Sequence, residues 1–177
     1  MVTVLKGGIN QGKTTKILAI YNQKKSGDGF VTRKVFEKGF FIGYEIVRLS
    51  SMERKPFIFI TGYEPNHWAE DFRYGPFTFS KEAIAFAESM IDEILKSGTG
   101  PVYIDEIGPV ELQGKGFYKL FKMALKSGRN LFVTIREAYI DDVLRLFKIN
   151  DYQIIDIKEL QFEEKTNGGN QTLIKGA

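Results

Sequence analysis

The chain contains no cysteine, one histidine (His67), one tryptophan (Trp68) and five prolines in 177 residues. Without cysteine there are no disulfides, no thiol nucleophile and no Cys-ligated zinc. A lone histidine with no second His or Cys beside it is a poor metal site. The same lack suits a reducing cytosol, so a cytoplasmic location is expected. Long apolar runs are also missing; none approaches the roughly 20 residues that span a bilayer, and no membrane partner is expected. There is no signal-peptide layout either, because a glycine-rich motif begins within the first ten residues. Charge of one sign is not concentrated anywhere. The net charge of +3 is too small to argue for nucleic acid, and the lysines are spread along the chain. What remains, 43% hydrophobic and 27% charged residues, is enough for one domain with a sizeable core. The 15 Phe and 8 Tyr fall mostly at strand or helix spacing and read first as core.

Residues 7–14 read Gly7-Gly8-Ile9-Asn10-Gln11-Gly12-Lys13-Thr14, a G-x-x-x-x-G-K-T phosphate loop (P-loop) without mismatch. The β-branched run Val2-Thr3-Val4-Leu5 precedes it as a strand, and residues 15–21 follow as a helix. Strand, glycine turn and helix N-terminus together make a cradle of backbone N–H groups for phosphate. Gly7, Gly8, Ile9, Asn10, Gln11, Gly12, Lys13, Thr14 and Thr15 are therefore the expected phosphate-binding residues. Lys13 would reach the β- and γ-phosphates, and the Thr14 hydroxyl would ligate Mg²⁺. The alternative is a Gly-rich β–α turn with an exposed lysine, which the flanking strand and helix argue against. The motif predicts a bound nucleoside triphosphate but not the reaction.

Further along, Ser26-Gly27-Asp28-Gly29 is a turn cluster. Residues 30–36 and 40–49 read as strands joined by the hairpin signal Glu37-Lys38-Gly39, and 56–61 as another strand. Residues 62–76 read as a polar loop and 77–79 as a short strand. Ser80 is the expected N-cap of a helix over 81–96, with Ile84, Ala87, Ile91, Ile94 and Leu95 on one face. A buried strand over 101–104, a helix over 117–126, a strand over 130–135, a helix over 138–147 and a strand over 152–157 complete the pattern. This βα alternation, interrupted at 30–61, predicts an α/β domain over residues 1–157. Its sheet is expected to be mainly parallel and flanked by helices, with an antiparallel hairpin region at the edge. Residues 158–177 read as a C-terminal hairpin or loose tail of the same domain. Ligand is expected at the carboxyl ends of the strands.

The strand over 101–104 runs into Asp105-Glu106. An acid at the end of an apolar strand is where a P-loop protein holds its metal, so Asp105 is the expected partner of Thr14 for Mg²⁺. Glu106 would then lie near the γ-phosphate and orient or deprotonate an attacking water. The alternative is a solvated or capping acidic pair; Asp156 is a rival strand-end acid, but Ile157 carries that strand past it. Glu111, in the same loop, would position water or metal, or only bond backbone amides. Arg136 should emerge on the nucleotide side and stabilise charge on the transferring phosphoryl group, or else cap a helix at the surface. Arg73, in the 62–76 segment, is a similar candidate. Thr134 could sense the γ-phosphate or simply pack in its strand. Trp68 and Tyr63 could stack on a base or anchor their loop. Arg33, Lys34, Lys38 and Arg48, interleaved with aromatics, could bind nucleic acid or form a solvated strand face.

Taken together, residues 7–14, Gly29-Phe30-x-Thr32, Ile42-Gly43-Tyr44-Glu45-Ile46 and Asp105-Glu106-Ile107-Gly108-Pro109-Val110-Glu111-Leu112 resemble a known family. It is that of the small P-loop nucleoside-triphosphatases of the cancer-related type, and the resemblance covers residues 1–157. The D-E-I-G-x-x-E-L stretch is its most specific part. The resemblance implies a RecA-like fold and slow, Mg²⁺-dependent hydrolysis of several nucleoside triphosphates (ATP, GTP, CTP, UTP) to diphosphate and phosphate. By position, Gly12, Lys13 and Thr14 match the phosphate site, Asp105 and Glu106 the metal and water positions, and Glu111 a family acid. The chain departs from the pattern in two places. Where the family has two acids, valine and arginine, it has Arg33-Lys34-Val35-Phe36, with the charge reversed, and residues 158–177 lack the helix-like end.

The reading is a monomeric or weakly associating NTPase in which Lys13 and Mg²⁺ offset charge and Glu106 activates water. Two alternatives stay open. A nucleotide or small-molecule kinase shares the P-loop, although no compact Arg-rich lid segment is present. A nucleotide-dependent switch would bind nucleic acid or protein through residues 62–76 or the 30–49 hairpin.

Overall fold

The computed structural model describes residues 1–158; the expected C-terminal hairpin or tail, from residue 159 on, lies outside them. Val2, Val4 and Leu5 are buried on opposite sides of β1 (Val2–Gly7), the burial pattern of an interior parallel strand. The P-loop leads into α1 (Lys13–Lys24). Next, β2 (Asp28–Glu37) and β3 (Phe40–Arg48) are joined by Lys38 and Gly39, whose φ angles of 48° and 86° are those of a tight hairpin turn. The chain continues through β4 (Arg54–Ile60), β5 (Glu70–Tyr74) and β6 (Phe77–Ser80). The Ser80 hydroxyl caps α2 (Lys81–Ser97), accepting from Ala83 N at 3.2 Å. Then come β7 (Val102–Ile107), the single turn α3 (Pro109–Leu112), α4 (Tyr118–Lys126) and β8 (Leu131–Arg136). A 3-10 turn (Glu137–Tyr139), α5 (Ile140–Phe147) and β9 (Tyr152–Asp156) follow. β9 stops at Asp156, so Ile157 does not carry the strand past that acid as expected; Asp156 pairs with Lys6 at 2.8 Å.

The nine described strands form one sheet in the order β5-β6-β4-β3-β2-β7-β8-β1-β9. From β2 through β7, β8 and β1 to β9 the neighbours are parallel; from β2 through β3, β4 and β6 to β5 they are antiparallel. β2 belongs to both halves. Residues 28–30 pair with β7, and the rest of the strand runs on into the hairpin. Close approach at that junction needs Gly29, where a Cβ would lie 2.0 Å from the Tyr103 carbonyl oxygen. Buried Asp28 ties the same junction together. It accepts from Gly29 N, from Ser50 N and Oγ, and from Arg48 Nε. One face of the sheet packs Leu5, Val31, Tyr103 and Phe132 against Ile17 of α1. The other packs Phe30, Ile104 and Val133 against Ile91, Phe121 and Val143 of α2, α4 and α5. The expected layering, helices on both faces of a sheet, is present.

The described sheet is evenly mixed, with four parallel and four antiparallel neighbour pairs, and not mainly parallel with an edge hairpin as expected. The segment 62–76, expected as loop, contains β5 and enlarges the antiparallel half. Its sequence, Glu70-Asp71-Phe72-Arg73-Tyr74, shows little apolar alternation since it is the outermost strand. Only Phe72 is half-buried, stacked on Phe79 at 4.4 Å, and its charged neighbours face water, as suits an edge. Trp68 anchors the segment, donating Nε1–H to Thr78 Oγ1 at 3.0 Å and packing edge-on against Phe59. β7 runs to Ile107, so Asp105 and Glu106 lie within the strand, joined by a cis peptide bond, and the pairing with β8 skips there.

Candidate active site

The carboxyl ends of β1, β7, β8 and the parallel part of β2 converge on the N-terminus of α1. Gly12, immediately before that helix, holds φ 90°, a left-handed conformation that favours glycine. The Gly8 amide donates to Gln11 Oε1 at 2.6 Å, which pins the loop. Lys13 is 5% exposed; its Nζ donates to the Gly8 carbonyl at 2.9 Å and stands 3.3 Å from Glu106 Oε2. The ammonium is thus folded back over its own loop with an anion beside it.

Asp105 is buried beneath this loop. Its Oδ2 accepts from the Thr14 hydroxyl at 2.8 Å and from both the backbone N and the hydroxyl of Thr32, each at 3.1 Å. Its Oδ1 accepts from the Thr134 hydroxyl. Burial pushes this carboxyl above the usual range, the bonds from Thr134, Thr32 and Thr14 oppose the rise, and the like charge of Glu106 adds to it. Glu106 itself is partly exposed and spans two cations, with Oε2 near Lys13 and Oε1 accepting from Arg136 Nε at 2.5 Å. Glu111 is buried. Its Oε2 accepts from Gly108 N at 2.8 Å and its Oε1 from Phe117 N at 3.0 Å, so it closes the connection between β7 and α4. Burial raises its carboxyl to about 7 against the pull of those two amide bonds. Of the two roles expected for Glu111, this geometry is the bonding of local amides.

Residues from Ile9 to Thr15 line an open cavity of about 410 Å³ together with Glu106 and Arg136. Gly7 and Gly8 stand behind that wall, at the end of β1 and under Gln11. Lys13, Thr14, Asp105, Glu106, Thr134 and Arg136 are therefore brought together. Arg73 is not; it lies exposed on β5 at the far edge of the sheet, paired with Glu70 at 2.7 Å. Thr32 and Tyr44 are site residues that sequence analysis leaves without a role, and Arg33 and Lys34 line the same cavity. Lys34 Nζ donates to Asn10 Oδ1 in the P-loop at 2.7 Å. The available signal was the length of the strand at 30–36, which carries it past the ends of its parallel neighbours; which strand lies beside it is not written in the sequence.

Among the described residues no group of three or more His, Asp or Glu side chains forms a metal cage. A threonine hydroxyl 2.8 Å from one carboxylate, next to a phosphate loop, suits a hard divalent cation that fills its remaining positions with phosphate oxygens and water. The residues present fit such an ion.

The chain is similar to known proteins. The sequence profile of the family described as NTPase matches residues 3–167. The nucleoside-triphosphatase THEP1 of Pyrobaculum aerophilum is 30% identical over 138 residues, 76% of this chain and 73% of its own length. THEP1 of Archaeoglobus fulgidus is 26% identical over 157 residues, 84% of this chain and 87% of its own. The crystal structure of THEP1 from the hyperthermophile Aquifex aeolicus is similar with a TM-score of 0.68 at 18% identity, covering 97% of this chain and 100% of that one. The solution structure of a human cancer-related nucleoside triphosphatase gives 0.61 at 20% identity, covering 98% of each chain. The two structures establish a shared α/β P-loop fold. The profile spans nearly all of the described chain and reaches the phosphate loop, both carboxylates and Arg136. The protein belongs to the NTPase family of P-loop nucleoside-triphosphatase enzymes.

Proposed function

We propose that the protein hydrolyses nucleoside 5′-triphosphates, ATP, GTP, CTP and UTP alike, to diphosphate and phosphate with Mg²⁺, and that Glu106 is the general base. The observation that carries this is the position of Glu106, held between Lys13 of the phosphate loop and Arg136 at the end of β8. The backbone N–H groups of residues 10–15 bind the phosphate oxygens. Lys13 and Arg136 turn from Glu106 to the γ-phosphoryl oxygens and offset the charge that develops there. Glu106, released from its cations, takes the proton of the attacking water. Thr14 and Asp105 would hold Mg²⁺, which supplies neutralisation of the β- and γ-phosphate charge. Thr32 and Thr134 keep Asp105 in place through their hydroxyls.

The groups in this account act on phosphates and not on a base, which supports a broad substrate range. The β8 strand standing between β1 and β7 supports the RecA-like reading. No described helix is long and apolar enough to cross a membrane; we take the enzyme to work in the cytoplasm, as a monomer or weak oligomer. The test is phosphate release from each of the four triphosphates with Mg²⁺ and after chelation of the metal. All four should release phosphate, and chelation should stop it. Tight triphosphate binding without any release would overturn the proposal.

A further inference from the structure

A second cavity, of about 250 Å³, opens on the other side of Glu106. Thr32, Tyr44, Glu106 and Arg136 line both cavities and so form the partition between them. The rest of its wall is of another character. Phe57, Phe77, Phe79 and Phe117, with Pro109 and Val110, make an apolar end. Phe57 stacks on Phe117 at 4.7 Å and meets Phe79 edge-on at 5.6 Å. An apolar cavity of about 150 Å³ is enough to admit benzene, so this one has room for a ring and its substituents. Thr32, Tyr44, Glu106 and Arg136 make the partition the polar side; of the other polar lining groups, Glu111 is engaged by the Phe117 and Gly108 amides, and Tyr74 lies opposite Phe77 at the rim. Such a lining selects a molecule with an aromatic body and one polar end, the body among the phenylalanines and the polar end at Glu106.

We propose that this cavity is a phosphoryl-acceptor site and that the protein transfers the γ-phosphoryl group to a small aromatic alcohol as well as to water. The inference rests on the reading of the P-loop cavity as the nucleoside-triphosphate site. Glu106 is accessible from both cavities, so the carboxylate that deprotonates water is also the one that an alcohol in the second cavity meets. Burial of the ring holds the hydroxyl at that carboxylate, which removes the entropic cost of bringing two reactants together. In the step, the alcohol oxygen bonds to the γ-phosphorus and the bond from that phosphorus to the β-phosphate bridging oxygen breaks. Nucleoside diphosphate leaves, and the hydroxyl proton passes to Glu106 and then to solvent. The absence of an Arg-rich lid segment from the sequence leaves water in competition, so hydrolysis persists beside transfer.

Benzyl alcohol is the simplest member of this class and serves as the probe. The full chain is incubated with ATP and Mg²⁺, with and without millimolar benzyl alcohol, and ADP, phosphate and benzyl phosphate are quantified by phosphorus NMR. Benzyl phosphate should appear, and phosphate should fall short of ADP by the same amount. Val110 lines the apolar end and Ile58, opposite Tyr44, lines the same cavity. Val110→Phe and Ile58→Phe each fill part of it; both should abolish benzyl phosphate and leave alcohol-free phosphate release unchanged, which also shows that each variant folds. If ADP and phosphate stay equal at every alcohol concentration, or if both variants make benzyl phosphate as the parent does, the acceptor site is refuted while hydrolysis stands. If calorimetry shows no ATP binding, the nucleotide reading and the acceptor site fall together.

Discussion

Replacing Glu106 with glutamine keeps the side-chain volume and removes one charge. That charge has two partners: Lys13, which is 5% exposed, at 3.3 Å, and Arg136, which is 38% exposed, at 2.5 Å. A glutamine offers its carbonyl oxygen to only one of them. Two effects of opposite sign follow. Hydrolysis loses its general base, which costs a factor of about 10²–10⁴, or about 2.7–5.5 kcal/mol of barrier. Nucleotide binding, in contrast, no longer has to draw both cations away from a carboxylate. The Lys13 contact is the weightier, since it is an ion pair with a buried ammonium that water and salt screen much less. The Arg136 pair, more than a third exposed and screened by water, contributes at most about 1 kcal/mol. Glutamine retains part of the attraction to Lys13, so the net gain in ATP affinity should be about 1 kcal/mol, roughly fivefold. Single-turnover phosphate release and calorimetric titration of the variant measure the two effects separately. Turnover within a few-fold of the parent would remove Glu106 from the chemistry. Weaker binding would refute the competition between Glu106 and phosphate for the two cations.

Lys13→Ala removes the ammonium that the loop folds back over itself, along with more than one charge-assisted bond to phosphate. ATP affinity should fall by about 100-fold or more, and calorimetry giving the parental value would overturn the assignment. Glu111 makes a prediction about stability and pH. Its carboxyl, held at about 7 in the fold against an ordinary value of 4.5, keeps a proton that the unfolded chain releases across that interval. The folded form binds more protons there, so stability falls as pH rises through the window, by on the order of 3 kcal/mol, and this group adds no slope below or above it. Urea unfolding at pH 5 and pH 8 should show the drop in the parent and most of it gone in Glu111→Gln; equal drops in the two proteins would refute the argument.

Much of this was legible in the sequence, and the parts that were not share a cause. The phosphate loop is local: eight consecutive residues, a strand before and a helix after, with the glycines where left-handed backbone is needed. Asp105 and Glu106 could be placed beside the phosphate loop because an apolar run ending in acids is also a local pattern. The 81–96 helix followed from its cap and its apolar face. What escaped depends on which strands become neighbours. Edge strand β5 buries one phenylalanine and exposes charge, so its sequence resembles a loop. Arg73 looked equivalent to Arg136 by residue type and loop position, yet β5 stands at one end of the sheet and β8 beside β1. Thr32 has an ordinary strand signature and gains a role only because β2 pairs with β7, which brings it to Asp105.

The charge reversal at Arg33-Lys34 becomes intelligible in the same terms. As an isolated hairpin these residues would be a solvated strand face or a patch for nucleic acid. In the fold, β2 passes beyond the carboxyl ends of its parallel partners, so both cations line the cavity at the phosphate loop, and Lys34 bonds Asn10 of that loop itself. The antiparallel half is therefore part of the site. Thr32 from β2 and Tyr44 from β3 stand with Glu106 and Arg136 in the partition between the two cavities. That partition lies where β2 meets β7, the point at which the sheet changes from antiparallel to parallel pairing. In open α/β sheets a change of strand order opens a crevice for ligand at the carboxyl ends of the strands. Here the change of strand direction does the same. It places one carboxylate, Glu106, in reach of a charged cavity on the parallel side and an aromatic one on the antiparallel side.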